Sequence, residues 1–229
     1  MHLPTRTLRH AWRAVERART FRRCRRLPAG GRLHAGCGTL HLVGWINVDK
    51  FASPATDYVV DIRYGLPFRG LDFIFAEHFI EHLSYREIEK FLRDCRAAMS
   101  ERGVLRLSTP NLDWVYRTQY HLGEWSGEPD EVRDCFRLNK SFRGWGHQFL
   151  FNRAMLHAML RQAGFAEVRD RAYGESDHFE LRGLERHERN EDLPGAPHIL
   201  IVEASGIRSG PEPQLIDAAG DFLSAVDAR

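Results

Sequence analysis

The sequence predicts an α/β, doubly wound fold built on a mainly parallel sheet, and three observations support this prediction. Several short apolar runs are bounded by turn residues, as in strands that are buried on both faces. The first run ends in a glycine-rich turn, Gly36-Cys37-Gly38, and the second ends on an acid, Asp49. Helical patterns with recognisable ends separate the later runs. At 229 residues, the chain is long enough for one full domain with appendages.

The predicted strands follow one another closely. They are residues 32–36, 45–49, 57–62, 72–77, 104–109, 166–173 and 198–203. Only six residues separate Gly38 from Trp45. That is too few for a crossover helix, so we predict a vestigial first helix or a loop at this point.

End signals mark two helices. Ser84 and Glu87 have the spacing of a capping box, and Gly103 is the predicted stop of the helix that they open. Asn152 is the predicted cap of a second helix, which Gly164 ends.

Composition divides the chain into three parts: a basic amphipathic helix (1–28), a main domain (29–204) and a C-terminal tail (205–229). Residues 1–32 contain ten arginines and one acid, a net charge of +9 against +2 for the whole chain. The tail reads as a Gly/Pro linker and a weak helix, which we expect to be mobile. Within the main domain, the aromatic-rich residues 111–148 are predicted to form a lid or acceptor wall, or a small hydrophobic subdomain.

The basic segment 1–26 leaves three alternatives open. It packs on the domain edge with solvated arginines, it lies on an anionic membrane surface, or it contacts nucleic acid or a protein partner. The four cysteines show no Cys-x-x-Cys spacing. The N-terminus lacks the apolar run of a signal peptide, and no apolar run is as long as a membrane span. We therefore expect a cytoplasmic protein, with peripheral membrane contact as the second alternative allows.

The glycine turn and Asp49 together predict a nucleoside-binding crevice. Glycines at a strand end let the backbone approach a ligand, and an acid that closes the next parallel strand is placed to accept ribose hydroxyls. A nicotinamide-binding turn is disfavoured, because His41 stands where that motif has its third glycine and Asp49 follows Gly38 by only eleven residues.

Several segments, in order, resemble class I S-adenosylmethionine-dependent methyltransferases. The segments are 33–39 (Leu-His-Ala-Gly-Cys-Gly-Thr), 44–49 (Gly-Trp-Ile-Asn-Val-Asp), Asp61 with 66–68, 72–78 and 105–110. The chain is most similar to a small bacterial subset with a shortened first helix and a His-x-x-Glu-His-Leu segment after the fourth strand. Members of that subset often belong to surface-polysaccharide or secondary-metabolite pathways. The resemblance implies a Rossmann-like, seven-stranded sheet of order 3-2-1-4-5-7-6, whose last strand is antiparallel.

The resemblance also implies S-adenosylmethionine as the cofactor and assigns its contacts. The glycine turn would line the methionine and ribose, Asp49 would accept the ribose hydroxyls, and Asp61 would accept the adenine amine. Carboxylates suit these roles because the cofactor presents hydroxyl and amine donors and a sulfonium cation. The assigned residues are Ala35, Gly36, Cys37, Gly38, Asp49, Asp61, Ile62, Glu77 and His78. Cys37 is expected to be a packed small residue and not a nucleophile.

Three histidines are candidates for a catalytic base that removes a proton from the acceptor: His78, His147 and His82, in that order. Residues 78–82 also spell H-x-x-E-H, the inverted zinc-protease motif. That motif needs both histidines on one helix, whereas His78 is expected at a strand end, so we predict no metal site.

These expectations combine into one function. The chain is predicted to be an O-methyltransferase whose acceptor is a hydroxyl of a sugar, a glycan precursor or a secondary metabolite. No Asn-Pro-Pro-Tyr or Asp-Pro-Pro-Tyr sequence follows the fourth strand. We therefore expect a small-molecule or glycan acceptor and no nucleic acid. The alternative is a non-catalytic, methyltransferase-like accessory module.

Overall fold

The structure is a computed structural model, and it describes residues 15, 18–25, 30–121, 126–187 and 190–227. Seven strands form a single sheet. They are β1 (Arg32–Ala35), β2 (Ile46–Asp49), β3 (Tyr58–Val59), β4 (Leu71–Glu77), β5 (Met99–Pro110), β6 (Glu167–Asp170) and β7 (Ile199–Ser205). The helices are α1 (18–24), α2 (Tyr85–Ala98), α3 (Leu112–Gln119), α4 (Glu128–Arg143), α5 (Arg153–Gln162) and α6 (Pro213–Asp227).

The strand order is β3-β2-β1-β4-β5-β7-β6, which confirms the predicted topology. Strands β1 to β5 pair in parallel, and β7 pairs antiparallel with both β5 and β6. Because parallel strands share one direction, the carboxyl ends of β1, β2 and β4 meet at the same edge of the sheet. Ligands bind at this edge in open α/β sheets.

The two faces of the sheet are covered differently. The main core packs α2, α5 and α6 against one face, with Leu33, Ile74 and Leu105 fully buried in it. The other face has a smaller apolar cluster in which Trp45 and Leu184 are members, both from segments without α-helix.

No helix connects β1 to β2, which confirms the expectation of a loop. The buried Asn47 side chain replaces helical hydrogen bonds in this connection. Its amide donates to the carbonyls of Leu42 and Trp45, and its oxygen accepts from the Leu42 amide. His34 adds a contact of 3.1 Å to the same oxygen, and burial lowers the pKa of this histidine. The loop is therefore fixed by one satisfied polar side chain.

Some element boundaries differ from the prediction. Helix α2 opens at the predicted capping box, where the Glu87 carboxylate accepts from the backbone N–H and hydroxyl of Ser84. It ends at Ala98 and not at Gly103, because Met99 already pairs with Leu71 as the first residue of β5.

Two strand predictions need a similar correction. Strand β3 has two residues instead of six, because the chain turns into a single 3₁₀ turn at Ile62–Tyr64. Strand β6 has four residues instead of eight, because its ladder with β7 ends at the Asp170–Val202 pair.

Both ends of the chain pack on the main domain within the described residues. On α1, Cys24 is buried in the core and Phe21 packs against it, while Ala18 of α1 and Val15 before it are exposed. The rest of the predicted basic helix, including residues 1–14, lies outside the described residues, so its membrane contact stays a prediction.

Helix α6 confirms the predicted terminal helix, and it packs on the main domain. Leu215 is buried, and Phe222 contacts the rings of Tyr85 and Phe149. Among the described helices, none combines the length and apolar character that crossing a bilayer requires.

Candidate functional site

A crevice of about 460 Å³ opens at the carboxyl ends of β1, β2 and β4. One side, the glycine–acid side, consists of Gly36, Asp49 and Asp61. The facing side, the histidine side, consists of His78, His82 and residues 145–148. The lining residues are Gly36, Asp49, Lys50, Phe51, Val60, Asp61, Ile62, Arg63, His78, Phe79, His82, Leu83, Glu87, Trp145, Gly146 and Gln148.

Gly36 is required by the close approach of an aromatic ring. Its φ is +69°, and a Cβ atom at this position would lie 2.2 Å from Cδ2 of Phe79. The Phe79 ring lies edge-on against Phe91 of α2, so it has a packed neighbour behind it. Gly38 has a similar φ of +53°, but no atom lies within 4 Å of its hypothetical Cβ. The two glycines therefore share a backbone conformation and differ in their surroundings.

Asp49 holds the glycine turn in place. Its Oδ2 accepts a hydrogen bond from the Gly38 amide at 3.1 Å, and its Oδ1 accepts one from the Phe51 amide at 2.9 Å. Each carboxylate oxygen has a second lone pair, so both remain able to accept a ligand hydroxyl. The side chain is half-buried at the crevice wall.

Asp61 lies at the mouth of the crevice, paired with a neighbour that sequence reasoning missed. Arg63 donates Nε and Nη2 to its two carboxylate oxygens at 2.9 and 2.6 Å. This guanidinium lowers the pKa of the Asp61 carboxyl, so Asp61 is an anion throughout the neutral range. A bidentate partner also fixes the plane of the carboxylate.

His78 begins the histidine side directly after β4. Its φ is +45°, in the left-handed region that favours glycine, and its amide is held by the Ser108 carbonyl at 2.9 Å. The ring stacks on that of His187, with 4.1 Å between centroids, and Nδ1 lies 3.2 Å from Oε1 of Glu81. With this unusual backbone conformation, His78 lines the crevice.

The Glu77 side chain, which the resemblance assigns to the cofactor, hydrogen-bonds the segment at residues 186 and 187. Its Oε1 accepts the amides of Arg186 and His187, and Oε2 lies 3.4 Å from the His187 ring. Burial by itself raises the pKa of this carboxyl, but those hydrogen bonds outweigh it and the pKa is lowered. Glu77 therefore anchors the segment that carries His187 against His78.

The histidine side is held together by the backbone carbonyls of Glu81 and His82. The Glu81 carbonyl accepts the amides of Gln148 and Phe149 at 2.7 and 3.2 Å, and the Gln148 side chain donates to the His82 carbonyl at 2.6 Å. These bonds bring residues 145–148 to the crevice, although they are more than sixty positions away in sequence. Of the predicted insertion 111–148, the described residues that line the crevice are Trp145, Gly146 and Gln148.

Of the predicted site residues, Gly36, Asp49, Asp61, Ile62, His78 and His82 line the crevice. The predicted residues outside the lining are Ala35, Cys37, Gly38, Glu77 and His147. The Cys37 thiol lies near the Ala55 carbonyl and the Thr56 hydroxyl, and burial raises its pKa, as expected of a packed thiol. The ring of Phe79 and the guanidinium of Arg63 were missed, and no pattern of spacing would have revealed either.

Three side chains on the histidine side could hold a metal ion. Donor atoms of Glu81, His82 and His147 lie within 4.8 Å of one another, and Glu81 is fully buried. This set differs from the H-x-x-E-H pattern of the sequence. Residues 80–82 form a single 3₁₀ turn, so no helix presents His78 and His82 together.

The comparisons with known proteins give only distant structural similarities. No family model and no curated protein matches the chain. Among solved structures, it is similar to a possible exported protein from Bordetella parapertussis (14% identity, TM-score 0.47, covering 84% of this chain and 67% of that one). It is also similar to LepI in complex with SAM, with 10% identity and a TM-score of 0.44. The match covers 79% of this chain and 44% of LepI. A third similar structure is a SAM-dependent methyltransferase, a possible histamine N-methyltransferase, from Thermotoga maritima. It has 16% identity and a TM-score of 0.47, and the match covers 87% of this chain and 94% of that one. The chain thus spans less than half of LepI, and several structural neighbours are SAM-dependent methyltransferases.

Proposed function

We propose that the protein is an S-adenosylmethionine-dependent methyltransferase that methylates a hydroxyl group. The observation that supports this most directly is the pair of crevice acids, Asp49 and Asp61, which follow neighbouring strands and line the same crevice as Gly36. The two acids match the ribose hydroxyls and the adenine amine, and a crevice of about 460 Å³ is of the size that small-molecule ligands need.

In this proposal the glycine–acid side binds the nucleoside. Asp49 accepts the ribose hydroxyls with the lone pairs that Gly38 and Phe51 leave free, and Asp61 accepts the adenine amine. The bound sulfonium supplies an electrophilic methyl group, which the hydroxyl oxygen receives as the carbon–sulfur bond breaks and its electron pair stays on sulfur. The protein contributes alignment of the two partners, which can supply about 7–11 kcal/mol.

The histidine side would receive the acceptor. His78 is the proposed base, because it lines the crevice and its Nε2 has no hydrogen-bond partner within the described residues. The exposed Trp145 ring offers a flat apolar surface of the kind that packs against a sugar ring. A sugar, a glycan precursor or a secondary metabolite fits this wall, and the acceptor class is part of the proposal.

Calorimetric binding tests the function. S-Adenosylmethionine or S-adenosylhomocysteine should bind the purified protein in preference to a nicotinamide dinucleotide. Asp49→Ala removes two charged hydrogen bonds of about 1.5–3 kcal/mol each, so the affinity should fall at least about tenfold. Asp72→Asn, at the opposite edge of the sheet, is the matched control and should bind as the wild type does.

Unchanged affinity in Asp49→Ala would refute the site. Turnover of isotopically labelled cofactor with a panel of hydroxylated acceptors, read by mass spectrometry, then separates an enzyme from the alternative, a non-catalytic module. A module would bind the cofactor and methylate none of the panel.

A further inference from the structure

The Glu81 side chain has an unusual environment for a carboxylate. It is fully buried, yet only one of its oxygens has a hydrogen-bond donor: Oε2 accepts from the Thr109 hydroxyl at 3.0 Å. Oε1 has no hydrogen-bond partner within the described residues, although His78 Nδ1 lies 3.2 Å away. A buried carboxylate is costly unless a cation or a donor compensates it. The position therefore calls for a positively charged ligand.

The two imidazoles beside Glu81 are oriented as ligands. Nδ1 of His147 lies 2.8 Å from the Ser141 carbonyl, which can only accept, so this nitrogen carries the proton. Nε2 is then the nitrogen with the free lone pair. The His82 ring lies 5.0 Å from that of His147, centroid to centroid, and it also lines the crevice. A histidine that donates its other N–H to a carbonyl is the usual arrangement at metal sites.

We propose that Glu81, His82 and His147 bind one divalent first-row transition metal ion, with Zn²⁺ as the reference ion. Their donor atoms lie within 4.8 Å of one another, and a modest inward movement brings them to the separation of roughly 3.4 Å that ligands of a tetrahedral zinc ion show. Within the described part of the chain, this is the one group of three such side chains that meets that distance.

The donor set determines the class of ion. Two imidazoles and one carboxylate suit Zn²⁺, Fe²⁺, Co²⁺ or Ni²⁺, whereas Mg²⁺ and Ca²⁺ prefer oxygen ligands alone. The Thr109 hydroxyl and the Ser141 carbonyl act as the outer contacts that hold the ligands in position.

Three protein ligands leave a coordination position for an oxygen ligand. Because His82 belongs to both the cluster and the crevice wall, that position is expected to face the crevice. This last step rests on the proposed function: the fourth ligand would be the hydroxyl oxygen of the methyl acceptor, which the ion would fix opposite the methyl group. His82 and His147 then hold the ion, and His78 remains the base.

A zinc titration of tag-free, chelator-stripped protein tests the site. The wild type should bind one equivalent of Zn²⁺ in competition with a chromogenic chelator, and Co²⁺ should give the absorption bands of a protein-bound ion. His82→Gln and His147→Gln should each weaken binding by about 100-fold or more, and Thr109→Val by about 10–100-fold. His157→Gln, on α5 and paired with Asp170, is the matched histidine control and should leave the affinity unchanged.

Two results would overturn the site: no saturable one-to-one binding by the wild type, or binding that all three variants retain. Circular dichroism on each variant confirms its fold, and the two histidine variants keep the test valid if buried Thr109 tolerates no change. Cofactor calorimetry on the metal-free protein separates the two proposals. Zinc binding without cofactor binding would refute only the proposed function, and cofactor binding without zinc binding would refute only the metal site.

Discussion

The two sides of the crevice are built in different ways. The glycine–acid side comes from one short stretch of chain, in which each functional group ends a strand or follows it directly: Gly36 after β1, Asp49 on β2 and Asp61 after β3. The histidine side is assembled from segments more than sixty residues apart, joined through the Glu81 carbonyl. The first side depends on backbone conformation, and the second depends on the chemistry of particular side chains. Substitutions on the two sides should therefore have different effects on the protein.

The largest effect is expected on the histidine side. His78→Gln removes the proposed base while a polar side chain of similar size remains. Because general base catalysis contributes about 10²–10⁴-fold, kcat should fall by about two orders of magnitude with the cofactor affinity unchanged. Steady-state kinetics together with calorimetry measure both quantities. The neighbouring His187→Gln is the control, since His187 stacks on His78 without lining the crevice. Equal losses in the two variants would count against a base at position 78.

The next largest effect is expected in the glycine turn. Gly36→Ala places a Cβ against the Phe79 ring in addition to adopting an unfavourable φ, whereas Gly38→Ala has only the unfavourable φ. The left-handed conformation costs about 1–2 kcal/mol in either variant, and overpacking adds about 1–3 kcal/mol at Gly36. Chemical denaturation measures the difference.

A second substitution sharpens the test of the glycine turn. Adding Phe79→Leu to Gly36→Ala should recover part of the lost stability, because the smaller side chain leaves room for the Cβ atom. Equal destabilisation by the two glycine variants would mean that the Phe79 ring yields freely.

A smaller effect distinguishes binding from positioning at the crevice mouth. Asp61→Ala should weaken cofactor binding by about tenfold, because it removes one charged hydrogen bond of about 1.5–3 kcal/mol. Arg63→Gln keeps the carboxylate and should cost at most about fivefold, since an exposed ion pair contributes about 0.2–1 kcal/mol. Calorimetry with S-adenosylhomocysteine compares them. A larger loss in Arg63→Gln would make the guanidinium itself the ligand contact.

The smallest effect concerns the segment behind the histidine side. The hydrogen bond to Glu77 raises the pKa of His187 above its usual 6.5. The stability that the protonated His187 gains from this pairing is therefore complete below pH 6.5, and it is lost as pH rises through the raised pKa. The pKa of Glu77 is lowered from its usual 4.5. The stability that the ionised Glu77 contributes is therefore complete above pH 4.5, and it is lost as pH falls through the lowered pKa. The stability difference between the wild type and Glu77→Gln should therefore be largest between about pH 4.5 and 6.5. Denaturation at several pH values measures it, and a difference that grows above pH 7 would contradict the pairing.

What the sequence could and could not predict follows the same division. Local signals suffice where the site is local: the glycine turn, Asp49 and the helix-free connection were all predicted, and the strand order followed from the family resemblance. The pairing of Glu81 with Gln148 and the turn of Glu77 towards His187 were not predictable, because both depend on contacts between distant segments. The early end of α2 was missed for the same reason, since a ladder with β4 overrides the local helical pattern at Met99.

The attachment of residues 145–148 has a consequence for how such a protein can diversify. The wall is held by the backbone carbonyls of residues 81 and 82, which every amino acid supplies. A change of side chain at Trp145 would therefore leave these hydrogen bonds in place, whereas Gln148 contributes one of them through its own side chain. The turn at Gly36 has no such freedom, because the Phe79 ring occupies the space that a Cβ atom would need. The two sides thus differ in how far their residues can change: Trp145 is exposed, whereas a Cβ at Gly36 meets the Phe79 ring.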